Sequence, residues 1–340
     1  MNPRSLVIGT RGSELALWQA RHVQALLAAR FPGEEFRLEI IRTQGDRIQD
    51  RALFRVEDKG FFTKELEDAL RERRIDAAVH SLKDLPTETP AGLSVAAVPA
   101  REDAHDVWIS RDGSGLREAP PGARVGTSSL RRQAQIRALR PDLVFEDLRG
   151  NVPTRLRRLE EGRCDALVLA RAGLARLGLL PAAAREFPFE EVLPAPGQGA
   201  LGIEIRADDP AVLDRVRALE DPTARRTVTA ERAFLARLQG GCLVPVGAHA
   251  TVEGEGLRLV GMVADLSGDP LIRGEASGPL RASDPPEAAA LGILLAEDLL
   301  ARGAGPILDR VRAFLRAQAG RGTRPPAGGS ADAAGNGTPA

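Results

Sequence analysis

The sequence predicts an α/β protein: two similarly built α/β domains facing a cleft, followed by a smaller α+β domain at the C-terminal end. Three observations predict it. Strand-like and helix-like segments alternate from Leu6 onward. The plan then restarts near residue 124, where Val125-Gly126-Thr127-Ser128-Ser129-Leu130 echoes Ile8-Gly9-Thr10-Arg11-Gly12-Ser13. Later in each half an Asp-Ala strand returns, Ile75-Asp76-Ala77-Ala78-Val79 and then Cys164-Asp165-Ala166-Leu167-Val168.

Each element has a local cause. Leu6 to Thr10 is apolar and β-prone, and Ser13 can cap a helix running to Ala29, which Phe31-Pro32-Gly33 ends. Phe36 to Arg42 alternates like a strand; Thr63 to Arg73 is helical, and Ile75 to Val79 is again strand. Gln44 to Gly60 is polar and irregular, as a lid over the cleft would be. In the second half Leu143 to Leu148 is strand-like, and Pro153 sits well in the first turn of the next helix. Gly197-Gln198-Gly199-Ala200-Leu201-Gly202 fits a dinucleotide fingerprint in spelling only. It follows Leu193-Pro194-Ala195-Pro196 and precedes the alternating Ile203-Glu204-Ile205-Arg206, so it reads as a segment crossing between domains. Asp221 to Leu238 is helical, His249 to Glu275 alternates like a small sheet, and Pro286 to Ala317 is helical. Residues 318–340 are rich in Gly, Ala and Pro and read as a disordered tail.

Composition excludes several classes. The 340 residues carry zero net charge and two cysteines, Cys164 and Cys242, too few for a disulfide framework or a cysteine zinc site. His22, His80, His105 and His249 have no metal-ligand spacing, so no metal is expected. Met1-Asn2-Pro3-Arg4 does not read as a secretory leader and no apolar run reaches membrane length, which points to a cytoplasmic protein without a membrane partner. Nine arginines fall between Arg124 and Arg158 against Asp142, Glu146 and Asp147. Scarce aromatics and zero net charge nevertheless argue against nucleic acid.

Four stretches carry candidate chemistry. Strand ends that open into helices favour anions through free N–H groups and the helix dipole. Thr127-Ser128-Ser129 with Arg131-Arg132 is such an end, and so is Arg149-Gly150-Asn151-Val152-Pro153-Thr154-Arg155. Each is either a good cap with a solvated basic face or a site for a ligand with several acidic groups. Arg176, beyond the Asp-Ala strand, adds to the second set. His80-Ser81-Leu82-Lys83-Asp84 follows a strand. Lys83 and Asp84 there are either a loop pair or a cation and carboxylate placed on a ligand, whereas His80 reads as a packed histidine. Gly240-Gly241-Cys242-Leu243-Val244-Pro245-Val246-Gly247 leaves a lone sulfur uncrowded. That suits an ordinary turn with a small apolar residue, or a thiol that bears a bulky group.

Taken jointly these motifs, with Thr10-Arg11-Gly12-Ser13 and Pro196-Gly197-Gln198-Gly199, resemble the porphobilinogen deaminase (hydroxymethylbilane synthase) family from about residue 5 to about 317. The resemblance implies that the first two domains look like bilobal binding proteins and that a dipyrromethane cofactor is held covalently on Cys242 by a thioether. It implies joining of four porphobilinogens with loss of ammonia, then hydrolysis to a linear tetrapyrrole. It makes Asp84 the catalytic carboxylate. Lys83, Asp84, Thr127, Ser128, Ser129, Arg131, Arg132, Arg149 and Gly150 become cofactor contacts, and Arg11, Ser13, Arg149, Arg155, Arg176 and Gln198 substrate contacts. The partners are then porphobilinogen and the growing polypyrrole, on a monomer. The domains become 1–99 with 200–217, 100–199 and 218–317. Glu57-Asp58 stands where the family more often has glycines, which bears on the lid. A non-catalytic two-lobe protein binding a dicarboxylate is the alternative; it would need no cysteine-bearing third domain.

Overall fold

The computed structural model describes residues 5–42, 63–239, 244–279 and 285–321. The expected lid at 44–60, with Glu57 and Asp58, lies outside them, and so does Cys242. The described residues form three sheets. In the first lobe β1 (Leu6–Thr10), α1 (Glu14–Arg30), β2 (Phe36–Ile40), α2 (Lys64–Arg71), β3 (Ala77–Ser81) and β4 (Leu93–Ala97) follow one another. In the second come β5 (Asp106–Ser110), β6 (Arg124–Gly126), α3 (Leu130–Leu139), β7 (Val144–Glu146), α4 (Val152–Glu160), β8 (Ala166–Ala170), α5 (Arg171–Arg176) and β9 (Arg185–Glu186). The chain then returns to the first lobe as β10 (Leu201–Arg206) and α6 (Pro210–Arg217).

The two lobes have the same plan. Strand order is β2-β1-β3-β10-β4 in one and β7-β6-β8-β5-β9 in the other. In each the first three strands are parallel, and the fourth, β10 or β5, is antiparallel to both neighbours. Each antiparallel strand is therefore reached by a crossing between lobes, one leading from β4 to β5 and one from β9 to β10. The echo in the sequence has a packing cause. A Cβ on Gly9 would strike Ile75, and one on Gly126 would lie 2.8–3.0 Å from Leu167, Leu148 and Cys164. Ser13 and Ser129 cap α1 and α3 by accepting from Ala16 N and Arg132 N, and Asn151 caps α4 ahead of Pro153.

The third unit is an antiparallel sheet, β11 (Val246–Glu253), β12 (Gly256–Ala264) and β13 (Leu271–Pro279), covered by α7 (Pro222–Arg237) and α8 (Pro285–Leu299). Phe234, Leu259, Leu295 and Leu299 centre its core. The single helix expected over Pro286–Ala317 is broken: Gly303, at φ 99°, separates α8 from α9 (Gly305–Arg321). The tail expected from 318 is also helical through Arg321, because α9 simply continues; residues 322–340 lie outside the described set. No helix among the described residues is long and apolar enough to cross a membrane.

Glu231 on α7 joins the third unit to both crossings. It is fully buried and accepts from Arg101 Nη1 at 2.7 Å and Nη2 at 3.0 Å, from Gly197 N at 2.7 Å and from Ala250 N at 2.9 Å. Arg101 Nε donates to Gln198 O at 2.9 Å. His105, Phe189 and His249 stack across the same junction at 3.8 and 3.9 Å. Removing one partner of a buried, fully satisfied ion pair strands the other, typically at a cost of about 3–5 kcal/mol. Glu231→Ala is therefore expected to lose about that much unfolding free energy in urea titration, whereas Glu255→Ala, in the exposed hairpin turn, stays near the parent.

Candidate functional site

The site lies where the parallel strands of both lobes end, the edge at which α/β sheets bind ligands. From the first lobe, β1 delivers Arg11 and Ser13, and β3 runs into a short 3-10 turn, Leu82–Asp84. Arg11, Ser13, Gln19, Thr63, His80 and Asp84 border a cavity of about 80 Å³. Gln19 of α1 donates to Ser81 Oγ at 2.8 Å, fixing one wall. Asp84 is exposed, and Lys83 beside it is half-buried. The end of the Lys83 side chain reaches inward, where Nζ donates to Gln198 Oε1 at 3.3 Å. Burial pulls its pKa down to about 8, opposed by Asp84 and reinforced by Arg132.

The second lobe is organised around a residue that the sequence did not single out. Asp106, fully buried at the start of β5, accepts from Arg131 Nη1 at 2.7 Å, from Arg132 Nη2 at 2.7 Å and Nε at 3.1 Å, and from Gln198 Nε2 at 2.9 Å. Burial pushes this carboxyl up, and the two guanidiniums outweigh it, holding it well below the usual carboxylate range. Its one signal in the sequence was a charge at the head of the apolar run Val107-Trp108-Ile109. Arg132 also donates to Val168 O, and Arg131 to Leu193 O. Among the described residues Nε and Nη2 of Arg131 have no hydrogen-bond partner, and they are not sealed from solvent, so that arginine keeps donors for a ligand.

The remaining candidates fall into two groups. Thr127, Ser128, Ser129, Arg149, Gly150 and Arg155 surround the starts of α3 and α4. Thr127 Oγ1 accepts from Ser129 N, Ser128 Oγ donates to Leu148 O, and Arg155 Nε donates to Gly150 O at 2.8 Å. Burial pulls Arg155 down to about 10, Arg132 and Arg149 add to the fall, and Asp147 opposes it. Among the described residues Arg131 and Arg132 pair with Asp106 and Arg149 with Asp147, and Asp147 also acts on Arg155; such a gathering of guanidiniums suits a ligand with several carboxylates.

Two candidates sit apart from this group. Gln198 is fully buried, and its amide accepts from Lys83 and donates to Asp106 and Ala104 O, so its side chain is a strut within the site. Arg176 is buried at the crossing, where Nη2 donates to Gly199 O at 2.6 Å and its guanidinium lies 5.8 Å from the Trp18 ring. Burial brings it to about 10.

The sequence also missed Arg232. From α7 it donates to Leu82 O at 3.3 Å, Leu85 O at 3.1 Å and Pro86 O at 2.6 Å, gripping the turn that carries Lys83 and Asp84. Asp103, His105 and Glu186 converge closely enough to suggest a cation site. Arg171 already occupies it, 2.6 Å from Glu186 and 3.5 Å from Asp103.

Comparison with known proteins bears on what such a site binds. Residues 6–214 match the family model "Porphobilinogen deaminase, dipyromethane cofactor binding domain", and residues 225–301 match "Porphobilinogen deaminase, C-terminal domain". The porphobilinogen deaminase of Pelotomaculum thermopropionicum is 53% identical over 309 residues, covering 91% of this chain and 97% of that protein. That of Desulforudis audaxviator is 54% identical over 310 residues, covering 91% and 99%.

Lys83 provides a test of the electrostatics. With a folded pKa of about 8 and an unfolded one near 10.4, the unfolded chain holds the extra proton between those values. Stability from this residue therefore rises with pH across that window, and its burial cost is full below about pH 8. Urea titrations of the ligand-free parent and Lys83→Met should show the parent gaining relative to the variant between pH 7.5 and 9.5. A difference that does not change with pH would contradict the assignment.

Proposed function

The chain belongs to the porphobilinogen deaminase family, and from that premise we propose the part each side chain plays. The enzyme is a transferase that joins four porphobilinogens head to tail with loss of ammonia, and hydrolysis then frees the linear tetrapyrrole. The alternative of a non-catalytic dicarboxylate-binding protein is set aside by that membership. We carry forward with this reading a cytoplasmic monomer with domains at 1–99 with 200–217, 100–199 and 218–317.

The dipyrromethane, when bound, supplies the free pyrrole end that is extended. We assign its carboxylates to Arg131, Arg132, Arg149 and Arg155, with the hydroxyls of Thr127, Ser128 and Ser129 and the backbone at Gly150. The support is the gathering of guanidiniums there, together with the donors of Arg131 that have no hydrogen-bond partner among the described residues. Cys242, the cysteine preceded by two glycines in the sequence, is the covalent anchor in this reading. Cys164 is fully buried and burial pushes its thiol up to about 11, which suits a structural residue.

Arg11 and Ser13 are assigned to the carboxylates of the incoming porphobilinogen. Arg176 acts at the crossing between lobes, and Gln198 positions Lys83 against Asp106. Asp84 is the catalytic carboxylate. Loss of ammonia leaves a cationic carbon on the incoming pyrrole, and a fixed negative charge beside it stabilises the state that precedes condensation. The single observation that carries this is Asp84 bordering one small cavity with Arg11 and Ser13, on a turn gripped by Arg232. A carboxylate on a held turn needs no reorganisation when the charge develops.

Two measurements check the assignments. The intact mass of the purified protein should exceed that of the chain by one dipyrromethane, with the excess on the Cys242 peptide and none on Cys164. A free Cys242 in fully active enzyme would refute the anchor. Asp84→Asn should lower turnover per loaded molecule on the order of 100- to 1000-fold, about 3–4 kcal/mol, with Asp84→Glu between it and the parent. Turnover of Asp84→Asn within about threefold of the parent, roughly 0.7 kcal/mol, would move the catalytic role elsewhere.

A further inference from the structure

Beneath the same cavity lies a buried pair that no step above uses. His80 on β3 and Glu204 on β10 are 6% and 0% exposed, and His80 Nε2 stands 3.3 Å from Glu204 Oε2. Their strands explain the meeting: Glu204 is opposite Ala78 and Gly202 opposite His80, so both side chains leave the sheet on one face. The contact is not a well-formed hydrogen bond. Nε2 and both Glu204 oxygens are sealed from solvent without a partner. Native folds leave few buried polar atoms unsatisfied, and each needs an explanation. Nδ1 differs: it has no hydrogen-bond partner among the described residues and is not sealed, and His80 borders the cavity that Asp84, Arg11 and Ser13 also line. The expectation of a packed histidine holds for its burial but leaves this polarity unexplained.

We propose that His80, backed by Glu204, holds the proton that each condensation moves. The proposal rests on the condensation reading given above. In each cycle His80, as the imidazolium, gives its proton to the nitrogen of the incoming aminomethyl group, whose C–N bond breaks with its electron pair going to nitrogen. Ammonia departs and the carbon becomes cationic. A C–C bond then forms between that carbon and the free α-position of the growing polypyrrole. The C–H pair at that position returns to the ring, and its proton passes to His80. The amine needs one proton to leave as ammonia and the α-position releases one, so the cycle balances with one group that gives the first and takes the second. An imidazole with one nitrogen open to the cavity can do this, and a buried carboxylate behind it stabilises the imidazolium in between. Asp84 then keeps its place beside the cationic carbon and takes no part in the proton transfer. Glu204 acts through His80 and is a positioning residue.

The test compares Glu204→Gln, His80→Gln and the double apolar change His80→Phe/Glu204→Leu. A pair that is only structural tolerates apolar replacement of both partners. The proposal expects the double variant to keep or raise its melting temperature while turnover per loaded molecule falls on the order of 100-fold. Glu204→Gln should lower kcat similarly with KM within about twofold, and should shift the 15N resonances of the His80 ring. That last measurement needs no bound cofactor, so a variant that fails to load still reports. Normal turnover by the folded double variant would overturn the proposal, and so would His80 resonances unmoved by Glu204→Gln. If Asp84→Asn is inactive while the double variant is active, only this inference fails. If Asp84→Asn is itself active, the condensation reading it rests on fails first.

Discussion

The buried carboxylate of Asp106 is the constraint on which the site depends. A charge with no access to water must be matched by partners, and Asp106 is matched by Arg131, Arg132 and Gln198. That matching places the two guanidiniums side by side at the start of α3. It also fixes Gln198, which in turn holds Lys83 from the other lobe. Lys83 and the arginine pair thus stand in one hydrogen-bonded chain spanning both lobes. The two guanidiniums are held in place by an anion that belongs to the protein.

The third unit holds that chain in place through two neighbours on α7. Glu231 ties the crossings together, and Arg232 grips the carbonyls around Lys83 and Asp84. The same helix leads directly to the segment of Cys242. One helix therefore braces both crossings and the turn that carries Lys83 and Asp84. Catalysis that depends on placing reacting groups within a fraction of an ångström gains from such sharing. It also makes the crossings poor places for bulk: a Cβ on Gly199, at φ 86°, would collide with the carbonyl of Glu102.

Much of this was legible in the chain. The Ser13 and Ser129 caps, the Pro153 helix start and the paired strand–turn–helix echoes all appear where expected. So does the rejection of Gly197–Gly202 as a nucleotide loop, since Leu201–Arg206 is a strand. The alternation of Ile203-Glu204-Ile205-Arg206 misled in one respect. It suggests a strand with one wet face, yet all six residues of β10 are buried because both faces of the sheet are covered. The resemblance implies Gln198 as a substrate contact; its hydrogen bonds to Lys83, Asp106 and Ala104 are invisible in the chain.

By itself the sequence determined the elements, the repeated lobe plan and the residue types gathered at strand ends. Those depend on hydrophobic period, capping and turn chemistry, all of which act within a few residues. Only the tertiary structure decided which charges are spent inside the protein and which face a ligand. Glu231 finds Arg101 across 130 positions, and Glu204 finds His80 by strand register rather than proximity in the chain. Spacing cannot reveal such pairs, because what selects the partner of a buried charge is the exclusion of water, and that exists only once distant segments have packed together.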